Sequence, residues 1–509
     1  MTPAELVAEL RGRGILLWAD ADRLHWSAPP GAMTAALRAQ LADHKAALRG
    51  LMRQASTAAG DDPGPRPLAR DQGVPLSPTQ ERFWSWMRAA PPGHPHFNMG
   101  AALLLTGPLD LELLPRNLAT VVSRHEALRT VFAEPSGQPV QIVLPCAPVP
   151  VGTTDLSNLP EGVREAAAEQ AVAEAFRYAF DLARGPLLRV SLLRLARDRH
   201  VLALVMHHLV SDGWSLDVIL HELAALGEGA RLPPLPFQYP DYAVWQRQRV
   251  ASTALDQQRV FWRQQLSGTA RALELPPDHP RPERRTLVGG SRTMLLPAAL
   301  VDEARRLARQ QGATPFMALL PVLAVVLSSW SGQEDLIIGM TTAGRSRLAL
   351  EPLVGCFVNT LPVRVSLAGR PSFLELLTRI RAATLAAYAH QDLPFQEIEA
   401  MRPPGWHPHG LVQVLYAADS PARTPRRLPG VVCAGFPIRR ASCQFDLVFD
   451  LSDADGGLLA RLDFSSQIFS AATADLLLGD LCATLDRVVA RPGEPAVTPG
   501  GRRRWSGPR

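Results

Sequence analysis

The residues best equipped for chemistry lie in one stretch, Val201-Leu202-Ala203-Leu204-Val205-Met206-His207-His208-Leu209-Val210-Ser211-Asp212-Gly213-Trp214-Ser215. An apolar run ends in two histidines, Asp212 and Gly213 follow, and Leu216, Ile219, Leu220 and Leu223 then recur at helical spacing. This predicts a buried strand, a tight turn and a helix, and the end of a buried strand is a common place for reacting side chains. Adjacent strand residues point to opposite faces, so His207 and His208 are poorly placed to ligate one metal ion. Metal-sharing histidines usually stand two apart on a strand or four apart on a helix, and this stretch has neither spacing. It suits one histidine facing the core for support and one facing a cavity for acid-base work. Asp212 reads as an ion-pair partner aimed back into the fold, and Gly213 as a backbone position closed to other residues. A purely structural histidine pair fits the same spacing, so pattern alone leaves the choice open.

Holding such a turn in place takes a substantial body. The chain has 509 residues, 47% hydrophobic and 20% charged, enough for two or three compact units with sizeable cores. The net charge of +5 is spread along the chain, and Arg502-Arg503-Arg504 is its one basic run, so no nucleic-acid partner is expected. Lys45 is the only lysine, which leaves no P-loop and no Schiff-base residue in the larger part of the chain. ATP chemistry is not expected. Cys146, Cys356, Cys433, Cys443 and Cys482 are scattered without a CxxC pair, which argues for a reducing cytoplasm and against a zinc site or disulfide framework. The first residues lack the pattern of a signal peptide, and the most apolar stretch, residues 316–327, is too short to span a bilayer. A cytoplasmic protein with no bound cofactor and no membrane partner is the expectation.

Residues 1–53 read as a separate small unit. Thr2-Pro3-Ala4-Glu5 has the form of a capping box opening a helix with Leu6, Val7 and Leu10 on its apolar face. Residues 15–18 and 23–26 are two short strands around Asp20-Ala21-Asp22, and Leu37, Leu41, His44, Leu48 and Leu51 then line one face of a second helix. So small a unit has little core, so it is expected to dock or to dimerise. Residues 54–74, rich in Pro and Gly, read as a flexible linker, and residues 491–509 as a disordered tail. About 415 residues lie between, long for one core, so two lobes are expected, residues 75–250 and 251–490.

The α-β-β-α pattern of the first unit resembles the TubC-type N-terminal docking domain of modular peptide synthetases. The resemblance implies that the hairpin, through Leu16, Trp18, Leu24 and Trp26, captures a C-terminal segment of an upstream synthetase subunit, partly by strand addition. A homodimer through this unit is a further arrangement that its small core allows.

The run from His207 to Gly213 matches the HHxxxDG signature of nonribosomal peptide synthetase condensation domains. Six further stretches are similar to that family's motifs, in its order: residues 76–84 (LSPTQERFW), 124–132 (RHEALRTVF), 239–246 (YPDYAVWQ), 338–345 (IGMTTAGR), 354–361 (VGCFVNTL) and 390–395 (HQDLPF). The fold implied is α/β, two chloramphenicol-acetyltransferase-like lobes in a V with the site at their junction. The implied activity joins a carrier-bound acyl or peptidyl thioester to an acceptor amine. Upstream and downstream carrier proteins would deliver both on phosphopantetheine arms. By the same resemblance His208 orients the amine and either takes its proton or stabilises the tetrahedral intermediate. His207 and Asp212 look structural, Asp212 paired to an arginine of the second motif, with Arg124 and Arg129 both eligible. The Gly213 amide would lie near the developing oxyanion. Trp214 extends the signature, and Trp245, Arg345 and Asn359 are candidate site-lining residues with packing roles equally open.

Residues 340–342 (MTT) and Cys356 depart from the family pattern, and Cys356 reads as a small buried hydrophobe. Epimerisation domains share HHxxxDG, but residues 211–215 and the motif at His390 look like condensation. Heterocyclisation domains carry aspartates in place of the histidine pair. Ser211-Asp212-Gly213-Trp214 is similar to the subtype accepting an L-configured donor terminus. No carrier serine motif is evident, so adenylation and carrier functions are expected elsewhere. An ester-forming or soluble-amine-accepting enzyme, or a silent carrier platform, are the alternatives.

Overall fold

The apolar run that ends at His207 is a central strand buried on both faces, as its lack of alternation requires. The computed structural model describes residues 64–497 except 90–94, 96, 269–271, 283–286, 403–405, 407–409, 419–426, 439–441 and 455, together with residues 6, 16–19, 24–27, 34, 37, 40, 41, 43, 44 and 47. Along these residues the strands are β1 (Leu16–Ala19), β2 (Leu24–Ser27), β3 (Val74–Pro75), β4 (Asn98–Thr106), β5 (Thr130–Ala133), β6 (Val140–Val143), β7 (Val151–Asp155), β8 (Leu188–Ala196), β9 (Arg199–His207), β10 (Gly289–Pro297), β11 (Asp335–Thr342), β12 (Asn359–Ser366), β13 (Val414–Ala418), β14 (Arg427–Leu428), β15 (Val431–Gly435), β16 (Leu447–Ala454) and β17 (Gly457–Ser465).

Two mixed six-stranded sheets build the two lobes, in the orders β14-β15-β4-β9-β8-β7 and β10-β17-β16-β13-β11-β12. The helices Leu113–Arg124, Glu161–Phe176 and Gly213–Gly227 belong to the first lobe. Ala298–Gln310, Pro315–Ser331, Phe373–Ala389 and Ala471–Ala490 belong to the second. The helix Pro315–Ser331 is capped by Thr314, ends at the left-handed Gly332 (φ 71°), and is almost wholly inside the second core. Among the described residues no helix is long and apolar enough to cross a membrane.

The lobes do not part at residue 250. β15 pairs antiparallel with β4, Val432 opposite Thr106 and Gly435 opposite Leu103, so the second half of the chain supplies two strands to the first sheet. Without them β4 would present an apolar open edge, which the pairing covers.

The expected linker and tail are also shorter than their composition suggests. From Gly64 the chain is fastened: Leu68 N–H donates to Asp241 Oδ1 at 2.9 Å, and Arg70 pairs with Glu126 and Asp241 at 2.8 Å each. Pro-rich chain has little conformational entropy to lose, and here a buried carboxylate holds it. At the other end, Ala496 N–H donates to Pro371 O at 2.8 Å and its side chain is buried. The remainder of the expected tail, residues 498–509, lies outside the described residues.

In the N-terminal unit β1 and β2 pair antiparallel, Leu16 opposite Ser27 and Ala19 opposite Leu24. Leu6, Leu37 and Leu41 are buried. The expected first capping box, the helix positions Leu48 and Leu51, and the side chains of Leu16, Trp18, Leu24 and Trp26 lie outside the described residues.

Candidate active site

β9 ends at His207, and the next five residues turn back to start the helix Gly213–Gly227. His208 N–H donates to Phe97 O at 2.9 Å, and Val210 N–H to His207 O at 3.0 Å. Phe97, a non-glycine residue at φ 65°, holds its carbonyl toward His208 from the left-handed region, a strain of about 1–3 kcal/mol. His207 is buried, and its Nδ1 accepts from Leu209 N–H at 3.2 Å. Phe97 and Phe180 lie edge-on to its ring, each with centroids 6.3 Å away.

His208 is partly exposed. Its Nδ1 stands 2.7 Å from Ser211 O, which can only accept, so Nδ1 carries the proton and the neutral ring keeps its lone pair on Nε2. Among the described residues Nε2 has no hydrogen-bond partner. Phe83 packs on the ring at 4.9 Å. Burial holds the imidazole below the ordinary histidine range, against the pull of Asp212, and the nearby Arg82 cation lowers it further. His208 is therefore neutral at pH 7.

Asp212 caps the helix with Oδ1, which accepts from Ser215 N–H and Oγ–H at 2.7 Å each. Its ion-pair partner is Arg345, not Arg124 or Arg129. Arg345 Nη1 meets Oδ2 at 2.7 Å and Nη2 meets Oδ1 at 3.1 Å. Phe357 N–H donates to Oδ2 at 3.0 Å. Gly344, at φ 64° and with no room for a side chain against Phe357 O, gives the approach of this loop. Arg124 is turned away to Glu222 (2.8 Å), which also takes His125 at 2.9 Å, and Arg129 lies beside Glu126 at 3.8 Å. The second motif thus anchors the far part of the Gly213–Gly227 helix rather than its start.

Gly213 is exposed, and its φ lies outside the left-handed region. A side-chain carbon there would meet nothing within 4 Å among the described residues, so the glycine meets no backbone demand and leaves space at the helix start. Its N–H, at the first helical position, has no intrahelical acceptor. Trp214 Nε1 donates to Glu351 O at 2.8 Å, and Trp245 carries Arg249 and Arg347 over its ring at 4.8 and 4.9 Å. Asn359 spends its amide on the chain: Nδ2 donates to Gln391 O and Leu393 O, and Oδ1 accepts from Thr360 and Phe395 N–H. It fastens the His390 motif. Cys356 is buried with Sγ 3.9 Å from His208 Nδ1, and burial pushes its thiol well up.

The residue that sequence reasoning passed over is Arg82. It is 7% exposed, and its guanidinium lies 4.9–5.2 Å from the rings of Phe83, Trp86 and Phe395. Among the described residues Nε and Nη1 are buried without a hydrogen-bond partner, and burial lowers its pKa to about 10. The signal was an arginine four residues before Trp86, on the apolar face of its helix. Two turns of the same helix touch the site, because Gln80 Nε2 donates to Leu209 O at 2.8 Å.

Residues 70–499 match the Condensation domain family model, and residues 4–54 match the TubC N-terminal docking domain. The chain is 38% identical over 441 residues to a linear gramicidin synthase of Brevibacillus parabrevis, covering 84% of this chain and 6% of that protein. It is 38% identical over 456 residues to phosphinothricin tripeptide synthetase PhsC of Streptomyces viridochromogenes, covering 86% of this chain and 41% of that protein. It thus spans less than half the length of these curated relatives. The X-domain from teicoplanin biosynthesis superposes with a TM-score of 0.73 at 27% identity, covering 85% of this chain and 98% of that one. The condensation domain from the Monacolin K polyketide synthase MokA shares the fold, with a TM-score of 0.74 at 21% identity over 85% of this chain and 100% of that one.

Proposed function

The chain belongs to the condensation-domain family of nonribosomal peptide synthetases, acyltransferases that form amide bonds, and on that premise we propose a reaction centred on His208. A carrier-bound acyl or peptidyl thioester is the donor, and an aminoacyl thioester on a second carrier is the acceptor. Both arrive on phosphopantetheine arms, in the cytoplasm.

The observation that carries this reading is the state of His208: neutral, partly exposed, fixed through Nδ1–H to Ser211 O, with the Nε2 lone pair unspent. An α-amine has a pKa near 8, so a fraction is already deprotonated at neutral pH. That neutral amine attacks the thioester carbonyl, the rest refilling it by loss of a proton to solvent, and the proton its nitrogen sheds on forming the bond passes to Nε2. The C–N bond forms, the C–S bond breaks, and the proton leaves on the departing pantetheine thiol. The Gly213 N–H, at the positive end of a 15-residue helix, supplies a donor for the oxyanion that develops. Arg345, Asp212 and His207 position this turn without touching the reacting atoms. The hairpin β1–β2 captures the C-terminal segment of an upstream subunit, through Leu16, Trp18, Leu24 and Trp26.

Intact-mass spectrometry tests this. An upstream acyl-carrier protein and a downstream aminoacyl-carrier protein are incubated with wild type and His208→Ala. The condensed mass should appear with wild type only. Activity with hydroxyl acceptors alone would redirect the reading to ester formation. Binding of both carriers without any product would leave a platform.

A further inference from the structure

The chain leading out of the N-terminal unit crosses three parts of the body before it reaches the site. Gly64 lies against Arg347, in the loop that carries Arg345; a side-chain carbon at Gly64 would stand 3.1 Å from Arg347 Nη1. Leu68 and Arg70 then close on the helix Tyr239–Ala251. Arg70 Nη1 meets Asp241 Oδ1 and Leu68 O at 2.8 Å each, and its Nε meets Glu126 Oε2 at 2.8 Å. Asp241 is 2% exposed, so this is a desolvated anchor rather than a surface pair. Val74 and Pro75 next pair with Gln141 and Val140 as an edge of the small sheet β3-β6-β5, and Gln141 Nε2 donates to Pro75 O at 3.0 Å.

The chain passes directly from this fastening into the site. Gln80, ten residues after Arg70, holds Leu209 O, and Phe83 packs on His208. Any pull on the N-terminal unit would travel along the chain into the helix Pro78–Ala89 unless something intervened.

We propose that residues 64–75 are a clamp, with Arg70 as its positioning residue. It fixes the point from which the N-terminal unit is tethered, and it isolates the His208 turn from that unit's movements. The tethering part rests on the reading of residues 1–53 as a docking unit. Ten residues, 54–63, then join that unit to the clamp and span at most about 35 Å. A captured upstream subunit is thereby confined to the side of the molecule bearing Arg347. The benefit in effective concentration depends on that fixed exit point.

The test uses the full chain as wild type, Arg70→Ala and Arg70→Lys. Two donor carriers are compared, one bearing its C-terminal docking segment and one lacking it. Hydrogen exchange is followed over residues 66–89 and 205–212. In Arg70→Ala, amides of 66–75 should exchange at least about tenfold faster, and capture of the docking segment should speed exchange in 78–89, which it does not do in wild type. KM for the segment-bearing donor should rise about three- to tenfold, while kcat on the donor lacking the segment holds within about twofold. Arg70→Lys, which keeps a charge but not the fork, should fall between.

The clamp is overturned if both variants keep the wild-type ratio between the two donors. It is equally overturned if Arg70→Ala loses kcat alike on both, since that is plain destabilisation. If wild type itself shows no preference for the segment, or no turnover, the docking or condensation reading has failed. The exchange arm then decides the clamp alone, and unchanged rates in 66–75 on perturbing Arg70 sink it.

Discussion

Arg345 and Asp212 are 133 residues apart and belong to different halves of the chain, yet they meet as a buried bidentate ion pair at 2.7 and 3.1 Å. Both side chains are at most 3% exposed. The carboxylate also caps the helix Gly213–Gly227 and accepts Phe357 N–H, so one aspartate ties the His208 turn to the opposing loop.

Either partner alone is a liability once the other is removed. Asp212→Ala and Arg345→Ala should each cost about 3–5 kcal/mol in denaturant unfolding, because a charge remains buried without a counter-ion. The double variant should cost little more than the worse single one. Simple additivity would mean that the two groups act separately.

His208→Ala should lower product formation by about 10²- to 10⁴-fold while binding of both carriers survives. For wild type the sign of the pH dependence comes from the neutral ring. Its pKa is depressed, so the active form persists as pH falls below the ordinary histidine value of about 6.5 and is lost only below that. An acidic limb of kcat centred above 6.5 that does not move with the pKa of the acceptor amine would contradict this assignment.

Arg82→Met removes a cation that opposes protonation of His208. The acidic limb of the rate profile should move up toward 6.5. The melting temperature should hold or rise, because a guanidinium with two unsatisfied buried nitrogens is replaced by an apolar chain of similar length. A lowered limb, or a melting temperature that collapses, would show that Arg82 is paired in solution.

Gly213 separates folding from chemistry. A side chain there meets nothing and the backbone conformation is ordinary, so Gly213→Ala should be neutral or stabilise by up to about 1 kcal/mol. Gly213→Val fills the space at the helix start and should cut turnover at an unchanged melting temperature. Equal turnover in glycine, alanine and valine variants would remove the helix start from the reacting region.

Much of this molecule is legible along the chain because its information is local. The apolar run 201–206, the turn at His207–Asp212 and the helix after it are fixed by periodicity and by a capping side chain within a few residues of each other. The hairpin β1–β2 was visible for the same reason. Partner choice is not local. Arg124, Arg129 and Arg345 are equivalent as cations in the sequence. Only the topology turns Arg124 to Glu222 and carries Arg345 across on the left-handed Gly344. The same holds for Arg82, an ordinary helical arginine until three rings close around it, and for Asn359, whose amide is consumed by a loop more than 30 residues on. Composition marked residues 54–74 as linker, but a buried carboxylate at Asp241 holds Arg70 and fastens half of it. Short-range patterns reflect backbone geometry shared by all chains. Which charges meet depends on how two separate sheets pack, and that is settled only when the whole chain is folded.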